Sequence, residues 1–224
     1  MYDAPSHTAL ASPSRLGSFL FTRIKKDGKD GRFDDIKITP PRFFAAWTIQ
    51  GVWVLLTALP VFTVNAMSST KDLGVNDYIG WAIWVLGFAL EVISDNQKGA
   101  FAANPANKGQ FINEGLWYYS RHPNYFGEMT LWLGQFVAAT SVISGSQYCL
   151  VISPLFVVFL LCEISGLPTL EARRDEKFKG NAEYELFKAN TSILIPWFKG
   201  SKTEKDAAML LQPEGAANTV YAIY

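Results

Sequence analysis

Four long apolar segments constrain this chain more strongly than any other feature of its sequence. Each approaches the roughly 20 residues that an α-helix needs to cross a bilayer. The chain is 49% hydrophobic and 18% charged, a composition too apolar for an ordinary soluble domain. We therefore predict an all-α, polytopic membrane helix bundle with about four spanning helices, at residues 43–67, 78–93, 126–144 and 148–167.

The distribution of basic residues supports this topology, because loops on the cytoplasmic side of a membrane are enriched in Lys and Arg. Nineteen of the 20 Lys and Arg residues fall before the first predicted helix, between the second and third, or after the fourth. We therefore expect both termini and the 94–125 loop on the positive side of the membrane, cytosolic or matrix/stromal. The membrane itself is expected to be the endoplasmic reticulum or an organelle inner membrane.

Net charge and cysteine placement argue against two other kinds of function. The formal net charge is zero and the basic residues are interleaved with Asp and Glu, so no nucleic-acid partner is expected. Cys149 and Cys162 lie in one predicted helix about 20 Å apart, at ~1.5 Å per residue, which is too far for a disulfide bond. No disulfide or metal framework is implied.

The sequence predicts three parts along the chain. Residues 1–14 form a polar tail that is flexible or bound to a partner. Residues 15–198 form the membrane domain, which opens with an interfacial segment and closes with an amphipathic tail. Residues 199–224 form a C-terminal extension. The 94–125 connection is long for a linker between neighbouring helices, so we expect the functional site there and in the amphipathic tail.

The stretch YYSRHPNYFGE, residues 118–128, holds the strongest local signal for a site. Pro123 suits the first position of a helix, which places His122 at the cap. The free N–H groups of the first turn carry the positive end of the helix dipole, and Arg121 and His122 add donors beside it. This combination predicts an anion site, and phosphate is the ligand that fits it best.

Carboxylates within the predicted spans point to a polar pocket. Glu91, Glu128 and Glu163 lie in or beside apolar segments. A charge in hydrocarbon is costly, so we expect these side chains to face a cavity or partner groups and not lipid. Asn124 lies four residues before Glu128 and shares its helix face.

Simpler interpretations of these residues remain open. Arg121 and His122 also fit interfacial anchors, and the neighbouring tyrosines fit an aromatic belt. Asn124 or Glu128 alone also fits an interhelical hydrogen-bonding group. The charges of residues 173–179 fit a solvated helix face at the membrane surface.

Several linked motifs resemble one known family. The segments GLWYYSRHPNYFGE, GFALEVISDNQKGAF and YELFKANTSILIPWF are similar to the C-terminal region of steroid 5-alpha-reductase-like membrane proteins, including their bacterial and protist branch. This resemblance covers about residues 15–198, and RHPNY more distantly resembles isoprenylcysteine carboxyl methyltransferases. The first resemblance implies a helical membrane reductase that holds NADPH among its later helices and their loops. The sequence agrees in lacking the GxGxxG fingerprint of a Rossmann domain.

The same resemblance implies a set of cofactor-binding residues. Arg121 and His122 would meet the phosphates of NADPH. Family members carry the acid and tyrosine that polarise the substrate carbonyl on spanning helices before the segment that begins here at Arg15. No catalytic residue is assigned here, because the sequence starts at Met1 without those helices. The remaining residues matched to the family's cofactor site are Asp95, Lys98, Asn124, Tyr125, Glu128, Glu171 and Tyr184.

Three functions are consistent with these observations. In the first, NADPH reduces a conjugated double bond of a membrane lipid: a sterol, a polyprenol or a fatty-acyl chain. In the second, the shared RHPxY segment serves S-adenosylmethionine-dependent methyl transfer. In the third, the chain is an accessory subunit of a large membrane complex that has kept the reductase fold without the reaction, which the lack of the front helices suggests.

Overall fold

The computed structural model describes residues 17, 21, 25, 38–67, 72–164 and 166–203. These ranges contain no β-strand, so the predicted all-α class is confirmed for the part of the chain they cover. The predicted 1–14 tail, most of the interfacial segment and most of the C-terminal extension lie outside the described residues. The α-helices bounded within the described ranges are α1 (Pro40–Ala66), α2 (Val75–Ala103), α3 (Pro123–Ala139), α4 (Ile152–Phe159), α5 (Leu167–Lys177) and α6 (Ala182–Asn190).

Three stretches of the described chain are long and apolar enough to cross a membrane, namely Pro40–Ala66, Val75–Ala103 and Gly145–Lys177. The protein is therefore a membrane protein with a helical membrane domain. Three of the four predicted spans coincide with these stretches, and the third predicted span corresponds to the shorter helix α3. Helix α3 has 17 residues and reaches only about 26 Å at ~1.5 Å per residue, less than the ~30 Å hydrocarbon core.

Helix α2 differs most from its predicted bounds. It begins near the predicted start but continues ten residues beyond position 93, to Ala103. Ser94 lies in this continuation, and its hydroxyl donates to the main-chain oxygens of Leu90 and Glu91, one turn back in the same helix. Asp95 and Lys98 both lie within this helix.

The third long helical stretch is not one regular helix. A 3₁₀ helix at Gly145–Val151 leads into α4, and a π-helical turn follows at Leu160–Ile164. Gly166 then precedes α5, with φ −90° and ψ −99°. A Cβ at Gly166 would lie 2.2 Å from the Leu161 carbonyl oxygen, so only glycine fits this break.

The described residues form two compact units. The first contains the described residues up to 88, with 129–159. In it, α2 and α3 approach closely, since a Cβ on Gly80 would lie 2.3 Å from the Ala138 nitrogen, and a Cβ on Gly134 would lie 2.5 Å from the Trp84 nitrogen. Small residues permit such backbone contact between membrane helices.

The second unit contains residues 89–128 and the described residues from 160 onward. Its last segment, residues 191–203, is called the C-terminal strap here. The strap runs beside the segment before α3, since Ser192 forms an isolated parallel bridge with Ser120 and the Arg121 nitrogen donates to the Ser192 oxygen at 2.8 Å. The segment that carries the RHPN motif is therefore hydrogen-bonded to the strap, which lies far from it along the chain.

Candidate functional site

The start of α3 in the second unit is built as the sequence predicts. Pro123 is the first residue of α3, and the backbone N–H groups of Tyr125 and Phe126 donate to the His122 oxygen at 3.1 and 3.2 Å. The Ser120 hydroxyl accepts a hydrogen bond from the His122 nitrogen at 3.1 Å. These local bonds fix the backbone of His122 at the mouth of the helix.

Arg121 and His122 converge on one carboxylate of α5. Glu171 accepts a hydrogen bond from Arg121 Nη1 on one oxygen, and its other oxygen lies 2.7 Å from His122 Nε2. The side chain of His122 is 1% exposed and that of Glu171 is 13% exposed. Since an ionised carboxylate can only accept, His122 donates through its Nε2–H.

Burial sets the protonation state of His122. Loss of hydration lowers the pKa of His122 and outweighs the hydrogen bond to Glu171, which acts in the opposite direction. The positive charges of Arg174 and Arg121 lower this pKa further. His122 is therefore neutral at pH 7, and the opposite charges of Arg121 and Glu171 cancel each other.

Arg174 lies on the same face of α5 as Glu171, three residues further on, and adds a second guanidinium to the site. Its Nη1 donates to the main-chain oxygen of Arg121 at 3.1 Å. Its Cζ lies 5.5 Å from the centre of the Trp117 ring, and Lys98 Nζ lies 5.3 Å from the same ring. Arg174 forms no ion pair with any residue in the described ranges.

Trp117 is the buried platform beneath these cations. It is 1% exposed, and its indole N–H donates to the Ser94 oxygen at 2.9 Å. The Leu116 nitrogen donates to Gln97 Oε1 at 2.9 Å. Helix α2 thus holds the short 3₁₀ helix Gly115–Tyr118 in place, and this contact brings Lys98 into the site.

A second set of polar groups joins α2 to α3. Asn124 Nδ2 donates to Asp95 Oδ1 at 3.3 Å. The Tyr125 ring lies 5.6 Å from the His122 ring, and the Glu128 carboxylate acts on Tyr125 electrostatically. Among the described residues, Arg121 Nε and Asn124 Oδ1 are buried without a hydrogen-bond partner. A buried donor and a buried acceptor without partners suit a polar ligand.

Tyr184 occupies a different environment. Its ring packs against Phe111, Phe178 and Phe187 and is 1% exposed. Its hydroxyl donates to Asp175 Oδ1 at 3.1 Å. Burial, followed by this hydrogen bond and the Asp175 charge, raises the pKa of Tyr184 far above its ordinary value.

All nine predicted site residues lie in the second unit. Arg121, His122 and Glu171 are in direct contact, and Asp95 contacts Asn124. Binding of a cofactor by these residues stays a prediction. The orientation in the membrane, the organelle, the lipid and complex partners, and the division of the chain at residues 14 and 198 also stay predictions. The geometry gives Tyr184 a structural environment, because its hydroxyl already has an acceptor.

Arg174 and Trp117 are the residues that sequence reasoning missed as site components. The interpretation of residues 173–179 as a solvated face is wrong at Arg174, which is half-buried and bonded to Arg121. The i, i+3 spacing from Glu171 was the available signal. No local pattern pairs Trp117 with Ser94, because Ser94 lies in the part of α2 beyond the predicted end of that helix.

The fold and the site together define a helical membrane protein with a polar, cation-containing site at the start of a helix. A family profile described as "Protein of unknown function (DUF1295)" matches residues 12–191. The chain belongs to this DUF1295 family.

The chain is also similar to a curated protein named "Probable O-methyltransferase ustE" from Ustilaginoidea virens, with 30% identity over 102 residues. The match covers 39% of this chain and 36% of the relative, so the chain spans about a third of that protein's length. No solved structure matches the chain.

Proposed function

We propose that this protein is a membrane reductase that binds NADPH at the start of α3 and reduces a conjugated double bond of a lipid. The observation that carries this proposal is a pair of guanidinium groups with unused donors: Arg174 forms no ion pair in the described ranges, and Arg121 has a buried Nε without a hydrogen-bond partner although its Nη1 is paired with Glu171. Unpaired cationic donors at a helix start favour phosphate groups. The resemblance of the RHPNY region to steroid 5-alpha-reductase-like proteins supports the same function.

The residues present fit the chemistry of NADPH. Arg121, Arg174 and Lys98 supply the cationic donors that its phosphates need. Asp95 and the free oxygen of Asn124 supply acceptors for hydroxyl or amide groups. NADPH, when bound, supplies a hydride. Neutral His122 orients Glu171, and Glu171 in turn orients Arg121.

The charge of the site distinguishes NADPH from S-adenosylmethionine. S-adenosylmethionine carries one carboxylate beside an ammonium and a sulfonium group, so a single cation satisfies its negative charge. NADPH carries several phosphate charges and benefits from each unpaired guanidinium or ammonium group. The presence of both Arg174 and Lys98 near Trp117 therefore favours the dinucleotide.

A titration of the purified protein in nanodiscs tests the proposal. We expect NADPH to bind, and Arg174→Ala to weaken binding by roughly tenfold to a hundredfold, the value of one charged hydrogen bond of about 1.5–3 kcal/mol. Arg173→Ala is the matched control, because Arg173 is exposed on the same helix and its loss changes the net charge equally. An absence of NADPH binding by the unmodified protein, or equal affinities of the two variants, would refute the proposal.

Methyl transfer is the second candidate, favoured by the similarity to the protein named "Probable O-methyltransferase ustE". The same titration performed with S-adenosylmethionine separates the two functions. Saturable binding of S-adenosylmethionine without binding of NADPH would replace the reductase by a methyltransferase. Binding of NADPH alone would remove this second candidate.

A further inference from the structure

The C-terminal strap presents a row of large apolar side chains on the surface of the second unit. Ile195, Trp197 and Phe198 are 56%, 67% and 79% exposed. Tyr118 and Tyr119, which lie beside the strap, are also exposed. A cluster of exposed aromatic and aliphatic side chains of this kind marks an interaction site.

Hydrogen bonds to the segment before α3 fix this exposure. The Trp197 nitrogen donates to the Tyr119 oxygen at 3.1 Å. The Ser120 hydroxyl donates to the Leu194 oxygen at 2.7 Å. The backbone of the strap is therefore held in place, with Ile195, Trp197 and Phe198 exposed on it.

The charges around the cluster indicate what it contacts. The strap carries Lys199 and Lys202 and no acidic residue. Lys199 Nζ lies 3.9 Å from the centre of the Tyr118 ring, a cation–π contact that places its ammonium group beside the cluster. Trp and Tyr with flanking Lys are the residues that settle at the headgroup level of a bilayer.

We propose that the strap, together with Tyr118 and Tyr119, is a membrane-interface anchor that inserts into the headgroup region of the bilayer. A lipid surface fits this composition better than a protein partner does, because the core of a protein interface is depleted in Lys. The second unit also contains the ends of two membrane-spanning stretches, with Ile93 and Ile164 exposed for lipid contact. The anchor would set the depth of the Arg121 backbone, which is bonded to Ser192.

Spin-label accessibility in the full-length protein tests the anchor. Cys149 and Cys162 are first replaced by Ser, and a nitroxide is attached after Phe198→Cys or, as the control, Glu183→Cys, an exposed position of α6 in the same unit. In nanodiscs we expect the ratio of oxygen to Ni(II)-EDDA accessibility to be several-fold higher at position 198 than at position 183. Equal ratios would place the strap in water and overturn the proposal, and shielding from both reagents in native membranes would assign the surface to a protein partner.

A second measurement avoids the cysteine variants. Lipids brominated near the carbonyl end of the acyl chain quench the fluorescence of tryptophan at the interface. We expect Trp197→Phe to lose a strongly quenched component that the unmodified protein shows. If the fluorescence removed by Trp197→Phe is unquenched by these lipids, Trp197 does not lie in the bilayer interface and the anchor is refuted.

Discussion

Replacing Glu171 by Gln is the sharpest test of the site's architecture. Glu171 accepts from Arg121 on one oxygen and from His122 on the other. Glutamine has nearly the same shape but presents one acceptor and one NH₂ group, which cannot accept. One of the two buried donors therefore loses its acceptor, and the guanidinium of Arg121 loses its only ion-pair partner in the described ranges.

The size of the effect follows from the burial of these groups. Hydrogen bonds to charged groups contribute about 1.5–3 kcal/mol, and removing one partner of a fully buried ion pair costs about 3–5 kcal/mol. The side chains of Arg121 and Glu171 are 10% and 13% exposed, so solvent screens the pair slightly. We expect Glu171→Gln to lower the free energy of unfolding by about 2–3 kcal/mol.

Thermal unfolding in mild detergent measures this change. At about 2–4 °C per kcal/mol for a chain of this size, the midpoint should fall by roughly 4–12 °C. Glu176→Gln is the matched control, because Glu176 is exposed on the same helix and should leave the midpoint unchanged. Equal midpoints for the two variants would show that Glu171 does not hold Arg121 and His122, and the reasoning on the site would fail.

Three further predictions concern other parts of the structure. Burial lowers the pKa of His122 from about 6.5, so as the pH falls through 6.5 the unfolded chain takes up a proton before the folded chain does. Stability should then fall towards the folded pKa, and this fall should be smaller in His122→Gln when unfolding midpoints are compared across pH. Gly134→Val should cost at least about 1–3 kcal/mol by overpacking against α2, whereas Gly51→Ala, which meets open space, should leave the detergent midpoint unchanged or raise it. Tyr184→Phe should lose about 1 kcal/mol with the hydrogen bond to Asp175 and should leave NADPH affinity unchanged in the nanodisc titration.

Local sequence signals predicted the start of α3 because its determinants are contiguous in the chain. Pro123 lacks an N–H and has a fixed φ, so it both permits and favours a helix start whatever surrounds it. The convergence of Arg121 and His122 beside this start followed from their adjacency. The family resemblance assigned Glu171, about fifty residues away, to the same site, but its direct contact with Arg121 and His122 was not predicted.

Hydropathy failed where polar residues continue a helix. The segment after position 93, with the sequence SDNQKGAFAA, is polar at its start, so hydropathy ends the predicted span at 93. Helix formation does not require apolar residues, and Gln, Lys and Ala are good helix formers. The environment of Tyr184 was likewise not predictable from the sequence. Its aromatic neighbour Phe111 lies far away along the chain, and no local pattern pairs the two residues.

The electrostatics of the site connect its structure to the choice between the two candidate functions. Since burial keeps His122 neutral, the charges of Arg121 and Glu171 cancel and His122 adds none. The two cations near Trp117, Arg174 and Lys98, lie in the field of carboxylates as well, since Glu171 acts on Arg174 and Asp95 acts on Lys98. A cofactor with several phosphate groups gains from both cations, while a cofactor with a net positive charge is repelled by whichever cation its single carboxylate leaves unmatched. The affinity for NADPH should consequently fall with rising salt concentration, whereas binding of S-adenosylmethionine, if it occurs, should be far less sensitive to salt.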